Sequence, residues 1–459
     1  MRLTFYGAAE TVTGSKFLIE NKNNFLIDCG LFQGPKELRI KNWEDPPFNA
    51  RAVKAVFLTH AHIDHSGYIP LLVKNGFTGK ILSTEATAEL CSILLPDSGH
   101  LHEEDARYAN KHGFSKHSPA LPLYTEAEAR SSLRFFETYP LETTFSVNDE
   151  IDVTFHPAGH ILGACLVELK FKVGKKKLLF TGDLGRPHSS FMIKPAKITE
   201  TDYLVIESTY GNRQHSDEDA RDRFEKIVNE TAAKGGTILI PSFAVERAQE
   251  VIYLLRQLKE KKKIPDLPIY VNSPLTINAT EIFRKHPEGH KINPRLLTDH
   301  ATNPLECGNL HFVQDSEASK KLSGLKFPAI IISGSGMAEG GRILHHLKQK
   351  LPEARNAVVF VGFQAEGTRG RALTEGAESI KIHGEVIPVR ARIEHIDSLS
   401  AHADYREILT WLSNFEKAPR MTYIVHGELK AAESLQDKIK SHLGWKTTIP
   451  KYGEGFDLA

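Results

Sequence analysis

Cysteine is scarce in this chain: four residues in 459, Cys29, Cys91, Cys165 and Cys307, none of them in CxxC spacing. That scarcity argues against a disulfide framework and a thiolate zinc site, and predicts reduced, buried cysteines that act as small apolar side chains. Long apolar runs are missing too. Nothing approaches the roughly 18 consecutive apolar residues of a membrane span, and the opening MRLTFYGAAETVTGSKFLIE has no continuous apolar stretch of the kind a secretory leader carries. A soluble, cytoplasmic protein is expected. An excess of one charge is equally absent, with 58 Lys and Arg against 57 Asp and Glu and a formal net charge of +1. No global field attracts a polyanion, so any contact with nucleic acid must come from a local basic surface. There is no internal repeat and no low-complexity segment.

What is present is ordinary globular composition, 41% hydrophobic and 25% charged, in a length that the usual prior divides into roughly three domains. The first 60 residues give short apolar runs at hairpin spacing (LTFYGA, KFLIE, NNFLIDCG), then the strand VKAVFLTH and a short helix around Ile69, Leu72 and Val73 that stops at Gly76. Strands recur at IDVTFHPAGH, CLVELKF and KKLLFTGD. From about Thr209 strands and helices alternate. Helices are expected over 217–234, 245–262 and 341–350, with strands at GTILIPS, PIYVNSP, PAIIISGSG and NAVVFVG. That rhythm predicts a parallel sheet flanked by helices, a separate α/β unit. EVIPVRARIEHID then returns to strand-like alternation, followed by the helices ADYREILTWLSNF and AESLQDKIKSHL around the strand MTYIVHG. The basic run Lys259–Lys263 is expected as a solvated helix end, with contact to nucleic acid as the lesser alternative.

Histidine is only 22 of the 459 residues, yet LTHAHIDHSG places His60, His62, Asp64 and His65 within six positions. Neutral imidazoles and carboxylates are the ligand set of catalytic zinc. Ligands at i, i+2, i+4 and i+5 cannot all point one way from a single helix or strand. They fit a loop curling after a strand, with His60 and His62 turned to one centre and Asp64 and His65 to a neighbouring one. Further donors stand at strand ends: His160 in PAGHILGA, Asp183 in FTGDLG and His426 in YIVHGE, flanked by Gly159, Gly163, Gly182, Gly185 and Gly427.

HAHIDHSG resembles the HxHxDH signature of the metallo-β-lactamase superfamily, and the later GH, GD and HG segments stand in that superfamily's order. The resemblance implies His60, His62 and His160 on one zinc, Asp64, His65 and His426 on a second, Asp183 between them, and Asp28 in LIDCG steadying the His loop. The ions implied are two zincs, with manganese as an alternative occupant. Asp183 and His426 are 243 positions apart (426 minus 183), which marks a domain inserted before the last ligand. That insertion resembles the β-CASP domain: VIESTYGNRQH is similar to its motif A with Glu207, SLSAHADY to motif B with His402, and IVHGE to motif C with His426; PSFAVERAQE and SGSGMAEGGR are similar to further β-CASP segments.

The fold implied is α/β: a metallo-β-lactamase αββα sandwich in two parts, residues 1–208 and 389–459, with a β-CASP domain at 209–388. The activity implied is that of a zinc-dependent ribonuclease in which a metal-bridging hydroxide hydrolyses RNA phosphodiester bonds, leaving 5′-phosphate and 3′-hydroxyl ends. Endonucleolytic cleavage in RNA processing or decay is the expected mode, with 5′-exonucleolytic action left open. His at motif C is the form of RNA-processing members, so single-stranded RNA is the expected partner, and a homodimer is an admissible assembly. His402 is expected to protonate the leaving oxygen with Glu207 as its partner, and Asp64 is counted with them; His395 in RIEHID is the competing acid. The turn Ser333, Gly334, Ser335 and Gly336 is expected to cradle a substrate phosphate through backbone N–H groups. Arg247 either neutralises a phosphate or is an exposed helix arginine. Asn272 and Asn212 stand where relatives commonly show Asp. With no KH pair before these motifs and no extension after them in the sequence, the chain resembles, and is expected to belong to, the minimal bacterial subgroup. The competing readings are a metal hydrolase of a small ester or thioester, which would not need Glu207, His402 or the insertion, and a non-catalytic RNA-binding scaffold, against which all seven ligands are present.

Overall fold

The computed structural model describes residues 1–113, 115, 117–297, 303–306 and 308–459. They form two units, Met1–Gln214 with His402–Ala459, and His215–Ala401. The length prior of three is therefore corrected to two, because the two ends of the chain build one unit together.

In the first unit, two seven-stranded sheets face each other. One runs in the spatial order Gly455–Asp457, Arg2–Phe5, Phe17–Glu20, Asn24–Ile27, Val53–Phe57, Lys80–Ser83, Phe136–Thr138. The other runs Thr447–Thr448, Met421–Val425, Tyr203–Glu207, Lys177–Phe180, Cys165–Phe171, Ile151–Pro157, Thr144–Ser146. Alternate residues of the inner strands meet between the sheets: Phe17, Phe25 and Phe57 from one side, Phe155, Phe180 and Val205 from the other. The rings of Phe17 and Phe180 stack across the interface at 6.1 Å. Each such fully buried side chain contributes about 1.5–3 kcal/mol. The intervening Leu18, Leu26, Val56 and Ile81 are buried as well. Strands buried on both faces need an outer layer, and helices supply it. The longest, Glu85–His112, buries Leu90, Cys91, Leu94 and Leu95. Sequence periodicity did not single it out, because charged and polar residues predominate in its C-terminal half.

Strand direction decides where chemistry can gather. Lys177–Phe180, Tyr203–Glu207 and Met421–Val425 are mutually parallel, and Ile151–Pro157 runs the same way through its antiparallel partner Cys165–Phe171. Their C-terminal ends therefore share one edge of the sheet.

The second unit is a six-stranded parallel sheet, as expected, in the order Leu310–Phe312, Ile269–Val271, Ala329–Ser333, Thr237–Pro241, Ala357–Phe360, Arg392–His395. Phe224 and Leu255, from helices Ala220–Ala233 and Arg247–Glu260, cover one face; Ile343 and Leu347, from helix Arg342–Lys350, cover the other. Arg392–His395 falls in the stretch assigned by sequence to the return of the first domain. It pairs in parallel with Ala357–Phe360 instead, so the chain re-enters the first unit at His402.

Cys29, Cys91 and Cys165 are buried and unbridged, and burial pushes the Cys29 thiol up to about 12; Cys307 lies outside the described residues. Among the described residues no helix is long and apolar enough to cross a membrane.

Candidate metal centre

Strand Val53–Phe57 ends beside Asp28, and the chain turns through Leu58 and Thr59 to His60 and His62 before the short helix Ile63–Ser66, which carries Asp64 and His65. His160, Asp183 and His426 follow the C-terminal ends of Ile151–Pro157, Lys177–Phe180 and Met421–Val425. Two of these positions are held in left-handed backbone without being glycine: φ is +57° at Asp28 and +49° at His426. Such conformations cost about 1–3 kcal/mol and persist where the surroundings over-determine them. Gly185 permits the close approach between the Asp183 turn and the His160 turn. A Cβ there would stand 2.0 Å from the carbonyl of Gly159 and 2.5 Å from the amide nitrogen of His160.

All seven candidate ligands come together in two adjoining groups. In the first, His62 Nδ1 lies 3.1 Å from His60 Nε2 and 3.2 Å from His160 Nε2. Asp183 Oδ2 stands 3.4 Å from His60 Nε2 and 3.3 Å from His160 Nε2. In the second, His65 Nε2 lies 3.1 Å from His426 Nε2 and 3.2 Å from Asp183 Oδ1, with Asp64 Oδ2 3.4 Å from His426 Nε2. The two oxygens of Asp183 thus face different groups. Tetrahedral coordination at bond lengths of about 2.0–2.1 Å places donor atoms about 3.3 Å apart, and the spacing here fits that. Asp183 Oδ1, though 3.2 Å from His65 Nε2, is buried without a well-formed hydrogen bond.

Electrostatics agree with a cation-binding donor set. Burial, helped by His65, pushes His60 down to about 3 against the pull of Asp183, and burial pushes His62 down to about 4. His160 is likewise lowered, by burial and then by His402. These imidazoles are neutral at ordinary pH, the form that ligates. Burial works against the charged form of Asp183, but His426, His65 and His60 hold its carboxyl well below the usual range. Burial also opposes charge on His65, yet Asp183 and Asp28 raise it well above its ordinary value. The carboxylates around it call for positive charge, which a metal ion satisfies as a proton does.

Asp28 organises this loop from beneath. Its Oδ2 accepts from His65 Nδ1 at 2.7 Å and from the Thr59 hydroxyl at 2.9 Å, and its Oδ1 from the Thr59 amide at 2.8 Å. Beside the centre, His402 Nδ1 lies 3.0 and 3.1 Å from the two carboxylate oxygens of Glu207, and its Nε2 lies 3.9 Å from Asp183 Oδ2. Glu207 is fully buried and also accepts from the amides of Leu184 and Thr209 at 2.6 and 3.2 Å. Burial disfavours the His402 cation, but Glu207 and then Asp183 carry its pKa up to about 9. His395 is not brought here. It sits on the second unit's sheet with Nε2 bonded to the Gly362 carbonyl at 3.1 Å.

All but one of the remaining sequence candidates, Asn212, lie in the second unit. The turn Ser333 to Gly336 follows the C-terminal end of strand Ala329–Ser333, and the Ser333 hydroxyl is taken up by the Asn272 carbonyl at 3.1 Å. Asn272 is buried; its amide nitrogen donates to His346 Nε2 at 2.7 Å, and its oxygen accepts from Arg342 at 2.9 Å. Asn212 is exposed. Arg247 is not the exposed helix arginine of the sequence alternative. It is buried, with its guanidinium bonded to Glu246 at 2.9 Å and to Glu250, so its charge is met within its own helix. In the basic run Lys259–Lys263, Lys259 pairs with Asp266 at 2.7 Å and Lys263 with Glu225 at 3.6 Å. Thr59 and Thr209, both against the centre, were not singled out from sequence; their only signal was adjacency to His60 and to the Glu207 segment.

Three stretches match known families: residues 12–234 the metallo-beta-lactamase superfamily, residues 248–373 the Beta-Casp domain, and residues 386–450 the Zn-dependent metallo-hydrolase RNA specificity domain. The chain is 33% identical to ribonuclease TTHA0252 of Thermus thermophilus, over 99% of each chain. It is 32% identical to an RNase J-like protein of Methanocaldococcus jannaschii, over 98% of each. With transcription termination factor FttA of Methanosarcina mazei it shares 30% identity, over 97% of this chain and 70% of that one. Its fold is similar to the crystal structure of an Enterococcus faecalis protein of unknown function, with a TM-score of 0.52 at 14% identity, covering 100% of this chain and 99% of that one.

Proposed function

The chain belongs to the β-CASP family of metallo-β-lactamase-fold ribonucleases, and from that premise we propose that it hydrolyses RNA phosphodiester bonds with two zinc ions held by His60, His62, His160, Asp64, His65, His426 and the shared Asp183. The observation that carries this reading is the Glu207–His402 pair beside Asp183. Hydrolysis of a thioester needs no such pair, because a thiolate departs readily; the 3′ oxygen of a nucleotide needs a proton.

Ions in this centre supply Lewis acidity toward the phosphate and lower the pKa of the attacking water. The protein's own groups do the rest. Asp28 holds the His60–His65 loop in register, and Glu207 fixes His402 with its Nδ1–H toward the carboxylate and its Nε2–H toward the centre. Water, having released one proton to solvent, attacks phosphorus as hydroxide and breaks the P–O3′ bond, leaving a 5′-phosphate, and the departing 3′ oxygen takes the Nε2 proton of His402. Glu207 stabilises the imidazolium before the transfer. In the second unit, Gly334 and Ser335, the two part-exposed members of their turn, are proposed to meet a substrate phosphate through backbone N–H groups.

The test is to incubate the zinc-loaded protein with labelled RNA, 5′-blocked and unblocked, single-stranded and duplex, and with model thioesters, and to map the product ends. Internal fragments of the single-stranded RNA ending in 5′-phosphate and 3′-hydroxyl are expected. Thioester hydrolysis with intact RNA would reject the proposal, and cleavage of unblocked RNA alone would make the enzyme a 5′ exonuclease.

A further inference from the structure

Two buried threonines lie against the ring edges of candidate ligands, one for each group. Thr59 is 1% exposed and Thr209 3%. The Thr59 hydroxyl oxygen stands 3.0 Å from His60 Nδ1 and 2.9 Å from Asp28 Oδ2. A hydroxyl has one hydrogen, and a carboxylate that already receives His65 Nδ1 and the Thr59 amide can only accept. The hydrogen of Thr59 therefore goes to Asp28, and toward His60 its oxygen can only accept. His60 must then carry its proton on Nδ1, which leaves Nε2, the atom turned to the first group, bare.

Thr209 repeats this logic on the other side. Its hydroxyl oxygen lies 3.2 Å from the carbonyl oxygen of His426, which can only accept, and 3.1 Å from His426 Nδ1. Asp183 Oδ1 at 3.4 Å from this Nδ1 and Asp64 Oδ2 at 3.4 Å from Nε2 face the two ring nitrogens equally, so the hydroxyl is what distinguishes them. The proton of His426 is placed on Nδ1 and its Nε2 is left bare toward the second group.

We infer that Thr59 and Thr209 are positioning residues that set the imidazole tautomers of His60 and His426, one at each of the two metal sites. The inference rests on the two-site reading above. Partners of this kind hold ring orientation and ligand basicity, and their loss typically weakens metal binding about 10- to 100-fold. Valine has nearly the shape of threonine without the hydroxyl. In these buried positions it leaves the Nδ1–H with no threonine acceptor, so the neutral ring is free to carry its proton on the liganding nitrogen. Thr59→Val keeps the amide bond to Asp28, so its effect is confined mainly to the first site.

The test uses the full chain, stripped of metal and titrated with zinc against a chromophoric chelator, for the wild type and for Thr59→Val, Thr59→Ser, Thr209→Val and Thr209→Ser. Far-UV circular dichroism of each metal-free protein checks the fold. The wild type is expected to take up two zincs. Each valine variant should lose about 10- to 100-fold in one binding step and little in the other, the two variants affecting different steps, and each serine variant should return to within a few-fold of wild type. Unchanged binding in both valine variants overturns the inference while leaving the metal reading standing. So does a serine variant that binds as weakly as valine, since packing rather than the hydroxyl would then be at issue. A wild type that takes up fewer than two zincs overturns the two-site reading and the inference together.

Discussion

His402 is held by one buried carboxylate through two contacts, 3.0 and 3.1 Å, and its chemistry follows from that. With its pKa raised to about 9, the imidazole is protonated through neutral pH and can donate. His402→Ala is expected to lower RNA cleavage about 10²- to 10⁴-fold while keeping its zinc by metal analysis, because the seven candidate ligands are untouched. Metal loss, or cleavage at the wild-type rate, would reject its role as the acid. Glu207→Gln removes the charge that raises His402. A general acid works below its pKa, so activity falls as pH rises through that value, and the alkaline limb of kcat/KM should move to lower pH in the variant. A limb that stays in place means that another group is titrating. At this scale residue types were legible and partners were not. Glu207 and His402 were paired from sequence only through a family resemblance, since 195 positions separate them (402 minus 207), and Arg247 was misread because nothing in AVERAQ shows that it is buried between two glutamates.

Strand ends carry the centre, and the backbone between them is packed too closely to tolerate added atoms. Gly185→Ala is expected to push the His160 turn away and lower zinc content, since the new Cβ would fall 2.0 Å from the Gly159 carbonyl; metal analysis of the purified variant checks this, and full occupancy would show that the turns can part. On the second unit's helix Arg247–Glu260, Arg247→Ala leaves Glu246 and Glu250 buried without their cation. It should destabilise the fold by about 3–5 kcal/mol, read from urea unfolding; a loss of RNA cleavage with unchanged stability would restore the phosphate role. Elements were legible where apolar runs were short and bounded, as at Thr237–Pro241 and Met421–Val425. They were not where a helix outruns its apolar face, as Glu85–His112 does, or where strand-like alternation gives no hint of its sheet, as at Arg392–His395.

Across the whole molecule, the candidate ligands all belong to one unit, although the chain leaves that unit after Gln214 and returns at His402. An ion that binds there is expected to stabilise that unit by mass action, by about 2.7 kcal/mol at a free concentration 100 times Kd. Chelation should abolish cleavage and raise amide hydrogen exchange at Met421–Val425, while Thr237–Pro241 in the other unit stays protected; equal exchange at both segments with and without zinc would show that the metal does not support the fold. By itself the sequence determined the superfamily, the parallel second sheet and the residue types of the seven candidate ligands, because these are written in local spacing, period and residue type. Only the tertiary structure decided that Asp183 turns its two oxygens to different groups, that Glu207 meets His402 and not His395, and that threonine hydroxyls stand at the edges of His60 and His426. Those facts depend on which strand ends lie side by side, and that is fixed by sheet order and by packing between residues hundreds of positions apart, to which no local pattern is sensitive.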